Sequence, residues 1–305
     1  MNKNKDKHLI GILCGILAAV CYGTNPLGAL KLYGEGMNTG SVLFYRFGIA
    51  WVIIALVMLI RSLPMRGSAR ESLRVTPRQF GILSLLGILF TISSLTLYLS
   101  FRLMDAGVAS TILFTYPVMT AVIMALFFHE RINAASVAAI ILSFIGVALL
   151  YWGDGTATLP IGGVILVLLS ALSYALYIIV VNRSNLPMSS FKINFYVLIY
   201  CSMGMVAFAA LSHQPLTLPQ GFTSWFYVGW LAIVPAILAL VLLVYAAKYI
   251  GSTTTAILGA LEPLTAVLIG ILIFGENFTA TLAIGILLIL GAVALIVLKP
   301  NKNTT

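Results

Sequence analysis

Charge is scarce in this chain. Of its 305 residues, 8% are Asp, Glu, Lys or Arg and 61% are hydrophobic. A water-soluble domain carries about 25% charged residues, so water cannot be the main solvent here and lipid must be. Apolar stretches of about 20 residues recur from end to end, each long enough to cross a hydrocarbon core of about 30 Å. The predicted class is an all-α polytopic membrane protein, with the lipid bilayer as its first partner.

Acidic residues are scarcer than basic ones, 8 against 17, and the formal net charge is +9. The excess is not gathered on one domain, as nucleic-acid binding would need. It sits in the short gaps between apolar runs, as membrane orientation signals do, and no nucleic-acid partner is expected. The 3 cysteines, Cys14, Cys21 and Cys201, all fall inside apolar runs. They read as small packing residues, with neither a disulfide framework nor a metal site. His8, His129 and His213 lie at span ends. No HExxH, GxSxG, CxxC or glycine-rich phosphate loop is present, which argues against an intramembrane enzyme and against a bound cofactor. The loops are too short to hold an ATP-binding domain or a receptor's output module.

Apolar windows predict ten spans: 9–30, 40–61, 79–102, 106–128, 132–152, 161–182, 192–212, 224–248, 252–274 and 278–298. The first, preceded by Lys3, Lys5 and Lys7, resembles a secretion signal, and LAAVC at 17–21 approximates a lipoprotein cleavage box. Val20 stands where that box needs a small residue, and the run is longer than a signal's apolar core. It reads as the first helix. The longest connection, 62–78, carries Arg66, Arg70, Arg74 and Arg78. All of the 17 lysines and arginines except Lys31, Arg102 and Arg46 fall on the face that carries both termini. The positive-inside rule makes that face cytoplasmic, in the plasma or bacterial inner membrane. Tyr151, Trp152, Trp225 and Trp230 then fall near the outer interface as aromatic anchors.

The halves repeat. YPVMTAVIMALFFHE (116–130) aligns without gaps to EPLTAVLIGILIFGE (262–276), and AVCY (19–22) to ALSY (171–174). Each half, 1–153 and 154–305, carries five spans. An odd number forces the second half into the membrane upside down, giving two inverted five-helix repeats. Such pairs expose a midplane site to each side in turn, so the repeat points to a transporter.

Glu262 lies near the middle of span nine, the one carboxylate there. A charge at that depth costs about 3 kcal/mol on insertion scales, so it should face a cavity or a partner. It reads as a group that takes up and releases a proton or contacts a substrate amine, with structural hydrogen bonding as the alternative. Pro263 beside it removes a backbone donor, and its repeat counterpart is Pro117, as Tyr116 is that of Glu262. Paired interruptions of this kind mark transporter sites, so Pro117, Pro263 and Pro26 are candidate hinges. Tyr22, Thr24 and Asn25 bring polar groups into span one and read as cavity lining, and Tyr174 inherits that reading as the counterpart of Tyr22. Arg46, six residues into span two, could pair with a substrate carboxylate. Snorkelling to the outer headgroups is its simpler reading. Gly11, Gly15, Gly285 and Gly291 read as close-packing positions.

CYGTNPLGALKL (21–32), FYRFGIA (44–50), the stretch 97–131 and YAAKYIGSTTTAILGALEPLTAVLIGILIFGE (245–276) together resemble EamA-type, ten-helix members of the drug/metabolite transporter superfamily. The likeness covers about 9–298. It implies a central cavity lined by spans one to four and six to nine, with five and ten at the periphery. It also implies movement of small solutes, often export of amino acids or related metabolites, sometimes driven by proton exchange. A Trp-Gly pair common in that family appears here as Tyr22-Gly23. A lipid or lipid-linked-phosphate flippase would share the scaffold, but its anionic headgroup would want more cavity bases than Arg46. Whether the protein is a monomer or a homodimer is left open.

Overall fold

Lipid offers no hydrogen bonds, so a spanning backbone must satisfy itself within helices. The computed structural model describes residues 2–62, 73–128, 134–152, 159–184 and 186–297, and among them there is no strand. Arg66, Arg70, Arg131, Lys299 and Lys302, used above for orientation, lie outside the described residues. Eight helical segments are long and apolar enough to cross a membrane, and Leu261–Phe274 and Ala280–Leu295 are shorter apolar helices. The chain is an all-α polytopic membrane protein.

Span one consists of α1 (Asn2–Gly23) and α2 (Asn25–Gly34), and runs beyond its predicted end. Span two is α3 (Thr39–Ser62) and span three α4 (Pro77–Ser100). Span four divides into α5 (Ala106–Leu113) and α6 (Tyr116–Phe128). Spans five to seven are α7 (Ala134–Trp152), α8 (Ile161–Ser184) and α9 (Ser190–Leu211). Span eight starts with α10 (Gly221–Ile233), passes through a π-helical turn (Val234–Leu238) and enters α11 (Ala239–Leu258). Within α11, Gly251 takes φ 79 and ψ 163, a left-hand backbone that favours glycine. It bends the chain into span nine, completed by α12 (Leu261–Phe274), and span ten is α13 (Ala280–Val297).

Four interruptions share one cause. Pro26, Pro117 and Pro263 each sit in the first turn of the second half-helix, and Pro235 opens the π turn. Proline costs a first turn nothing, because the N–H it lacks would have no partner there. The Gly259 carbonyl, which would otherwise face the proline ring, is occupied, since it accepts from Glu262 N at 2.9 Å. Leu27 N→Thr24 O at 3.1 Å and Val118 N→Thr115 O at 3.0 Å close the other two breaks in the same tight way.

Helix pairing follows a pattern. α1 packs on α11 as α4 packs on α8; α4 meets α9 as α10 meets α3; α1 meets α12 as α8 meets α6. The remaining close pairs, α3 with α9, α5 with α12 and α7 with α13, join corresponding spans of the two halves. The pairs named here map onto one another or onto themselves when spans one to five are exchanged for six to ten.

Glycines set the closest approaches. A Cβ at Gly11, Gly15 or Gly285 would stand 2.7, 2.6 or 2.6 Å from Ile250, Leu258 or Leu150, as expected of packing positions, whereas Gly291 faces open space. The tightest contact between spans three and seven belongs to Gly87, where a Cβ would lie 2.3 Å from the Cβ of Tyr200. That atom cannot rotate away. Gly87→Ala is therefore expected to cost about 1–3 kcal/mol and lower the thermal unfolding midpoint of the purified protein, while Gly291→Ala leaves it in place. Equal midpoints for the two variants would show that spans three and seven can separate freely.

Candidate functional site

A cavity of about 430 Å³ lies where the interrupted spans meet. Its lining comes from spans one (Gly15, Ala19, Tyr22, Asn25), two (Arg46), three (Phe90, Ser93, Ser94, Leu97, Tyr98), four (Leu113, Tyr116), six (Tyr174, Ile178), eight (Leu243, Ala247) and nine (Thr255, Gly259, Glu262). Span seven, expected to contribute, does not line it. Spans five and ten pack on each other away from it.

Three of the lining residues immediately precede a proline: Asn25 before Pro26, Tyr116 before Pro117 and Glu262 before Pro263. Each of these residues lies in the first turn of its second half-helix, so each break brings a polar side chain to the cavity. The prolines themselves are not in the lining, while the residues before them face the cavity. Thr24 does not reach the lining. Its hydroxyl donates to Cys21 O at 2.7 Å and accepts from the Trp230 indole at 3.3 Å. Trp230, expected as an interfacial anchor, is thus half-buried and turned inward onto the span-one break.

Arg46 differs from its simpler expectation. It is 6% exposed, and it lines the cavity where snorkelling to headgroups would have taken it outward. Its Nη1 donates to the Tyr98 hydroxyl at 2.6 Å, and that hydroxyl donates to Asn25 Oδ1 at 3.1 Å. Asn25 is fixed in turn by its amide, which donates to Tyr22 O at 2.8 Å. The guanidinium also lies 5.3 Å from the Tyr98 ring centroid and 5.5 Å from that of Phe47, where the ring faces attract a cation. Among the described residues, Arg46 Nε is buried without a hydrogen-bond partner. A chain through spans one, two and three therefore holds a desolvated cation at the wall.

Glu262 opens α12, whose first N–H groups give the helix start a partial positive charge that favours an anion. Among the described residues nothing hydrogen-bonds its carboxylate. Tyrosines and a phenylalanine add an aromatic cluster to the cavity. Tyr174 meets Tyr116 edge-on at 4.8 Å and stacks on Tyr177 at 5.9 Å, with Phe90 5.4 Å from Tyr177. Below it, Ser170 Oγ donates to Ser93 O at 2.7 Å, joining the halves.

The structure thus brings six of the predicted polar residues together: Glu262, Tyr22, Asn25, Tyr116, Tyr174 and Arg46. Tyr98, Phe90, Ser93 and Ser94 were not foreseen. A signal for Tyr98 did exist, as the polar residue of LYLS next to Arg102, but an isolated tyrosine near a span end looks like an interfacial anchor.

The EamA-like transporter family matches residues 9–152 and 161–298. The chain belongs to this family. Among relatives, an uncharacterized transporter of Archaeoglobus fulgidus is 29% identical over 189 residues, covering 62% of this chain and 66% of its own length. An uncharacterized transporter of Bacillus subtilis is 24% identical over 72% of this chain and 71% of its own. One of Clostridium kluyveri is 22% identical over 92% and 90%. One solved crystal structure superposes with a TM-score of 0.65 over 93% of this chain and 95% of that one, at 18% identity, a likeness of fold alone. The EamA-like match makes the protein a membrane transporter, and the cavity is its candidate transport site.

Proposed function

We propose that this protein is a secondary transporter that exports a small metabolite, an amino acid or related amine or aromatic solute, by alternating access. One observation carries the reading: one cavity, walled by spans of both halves, presents a held guanidinium, tyrosine rings and a carboxylate that nothing among the described residues hydrogen-bonds. Glu262 suits an ammonium or a proton, Arg46 a carboxylate, and the rings of Tyr116 and Tyr174 an apolar body. A volume of about 430 Å³ falls in the range of small-molecule sites.

In this reading 1–153 and 154–305 are inverted repeats, and the exchangeable pairing of their spans supports it. Pro26, Pro117 and Pro263 are the hinges about which the half-helices tilt. Glu262 carries the coupling proton. Both termini are cytoplasmic in a plasma or bacterial inner membrane, as the surplus of basic residues on that face suggests.

The test is comparative metabolomics of medium and cell extract from cells expressing the protein or an empty vector. One or a few amines or amino acids are expected to rise in the medium with the protein and fall in the cells. No shift in any small solute would overturn export and turn attention to uptake or lipid flipping in proteoliposomes.

A further inference from the structure

Beyond the cavity, the two halves touch through one carboxylate at the face opposite the termini. α5 begins there, and its N-cap residue, Asp105, makes no side-chain cap. The first N–H groups of a helix lack partners within it. Those of Ala106 and Gly107 donate instead to Glu276, at 2.8 Å to Oε1 and 3.2 Å to Oε2. Glu276 belongs to the other half, just past the end of span nine.

The seat for that carboxylate is built from glycines. Gly275, at φ 71, turns the chain back on α12, so that Glu276 N closes on Gly270 O at 3.0 Å. A Cβ at Gly270 would stand 2.0 Å from Oε2, and one at Gly107 3.0 Å from it. A side chain at Gly270 would occupy the carboxylate's own space. Burial pushes the Glu276 carboxyl above the usual carboxylate range, and Asp105 beside it acts the same way, while the two backbone donors pull it down. The seated ion is therefore held by its donors against the cost of burial.

Sequence shows that the seat occurs once. In the repeat register Glu276 corresponds to Glu130, which lies outside the described residues. Gly270, Gly275 and Gly107 correspond to Met124, His129 and Thr253. The counterpart face thus lacks every glycine that makes room for the carboxylate. Further ties join the halves at the same face: Asn38 Nδ2 donates to Pro215 O at 2.9 Å, and Thr217 N to Ser41 Oγ at 2.8 Å.

We propose that Glu276 is a latch between spans four and nine, which closes the face opposite the termini and must leave the start of α5 before the cavity opens there. These are the two broken spans that carry Tyr116 and Glu262, so release would act directly on the helices that line the site. The proposal rests on the transporter reading, because only alternating access requires that face to open.

The experiment uses the full chain in oriented proteoliposomes, with Cys14, Cys21 and Cys201 replaced by serine and Ser94→Cys as a reporter in the cavity lining. Labelling by a membrane-impermeant maleimide is timed from each face. Glu276→Gln and Gly270→Ala are expected to raise labelling from the Glu276 face by about tenfold, the scale of one charge-assisted hydrogen bond. Unchanged labelling in both variants would overturn the latch. A disulfide between Ala106→Cys and Glu276→Cys gives the reverse test where those variants fold poorly. Formed, it should suppress labelling from that face and reduction should restore it; labelling that ignores the disulfide overturns the proposal. Accessibility is read here, not flux, so failure leaves the transporter reading standing, and failure of export in cells leaves these labelling rates to be judged on their own.

Discussion

Glu262→Gln is expected to lower the transport rate by about a hundredfold and to remove its dependence on the proton gradient. The magnitude is the lower end of what a positioned acid–base group contributes. Glutamine keeps the length, shape and hydrogen-bonding capacity of the side chain, so the start of α12 and the Gly259–Glu262 turn should persist. What it removes is the charge and the ability to carry a proton. Because nothing among the described residues hydrogen-bonds the carboxylate, the proposed reading gives it a substrate cation and a proton as partners, and losing either would stop the cycle. The check is flux of the metabolite identified in the medium, measured in proteoliposomes with and without an imposed pH difference, at matched protein and matched unfolding midpoint. A variant that transports normally while its unfolding midpoint falls would return Glu262 to a structural role. One that binds substrate but ignores the gradient would separate coupling from recognition.

The spans and breaks were legible because lipid leaves the backbone few choices. A run of apolar residues must be helical, and a proline within it must begin a new half-helix or bend the old one. Asn25-Pro26, Tyr116-Pro117 and Glu262-Pro263 could therefore be picked out by residue type alone, and they converge on one cavity. What sequence could not show is which side of a helix faces what. Arg46 stands equally well, by distance from its span end, for a snorkelling cation or an inward one. Its fate was decided by Tyr98 on the neighbouring span, whose hydroxyl meets it at 2.6 Å. Trp230 was misplaced for the same reason, its indole turning to Thr24 instead of the interface. Gly291 and Gly87 illustrate the point from the other direction. Both are glycines in apolar helices, and only the rotation of the helix tells that one meets Tyr200 and the other meets nothing within 4 Å. The π turn at Val234–Leu238 was hidden because Pro235 carries no polar neighbour to announce a break.

Arg46→Gln is expected to divide the substrates of this transporter by charge. For a solute carrying both an ammonium and a carboxylate, uptake into the cavity should weaken by about tenfold to a hundredfold, the loss of one charge-assisted contact. The decarboxylated amine of the same solute, which has nothing to offer a guanidinium, should change little. The cause lies in how Arg46 is held. A cation that is 6% exposed has surrendered its water, and the Tyr98 hydroxyl and two ring faces compensate only in part, since Nε has no partner among the described residues. An anionic group of the cargo would supply what is missing, and the low polarity around it would strengthen the attraction. Phenylalanine, phenethylamine and 3-phenylpropanoate share one ring and differ only in charge, which makes them suitable competitors in a binding assay on the purified protein. Tyr98→Phe keeps the ring and removes the hydroxyl that aims the guanidinium, so it should show the same selectivity at reduced size. If Arg46→Gln instead weakens the amine and the zwitterion equally, the guanidinium is a strut between spans two and three, and the charge that selects cargo belongs to Glu262 alone.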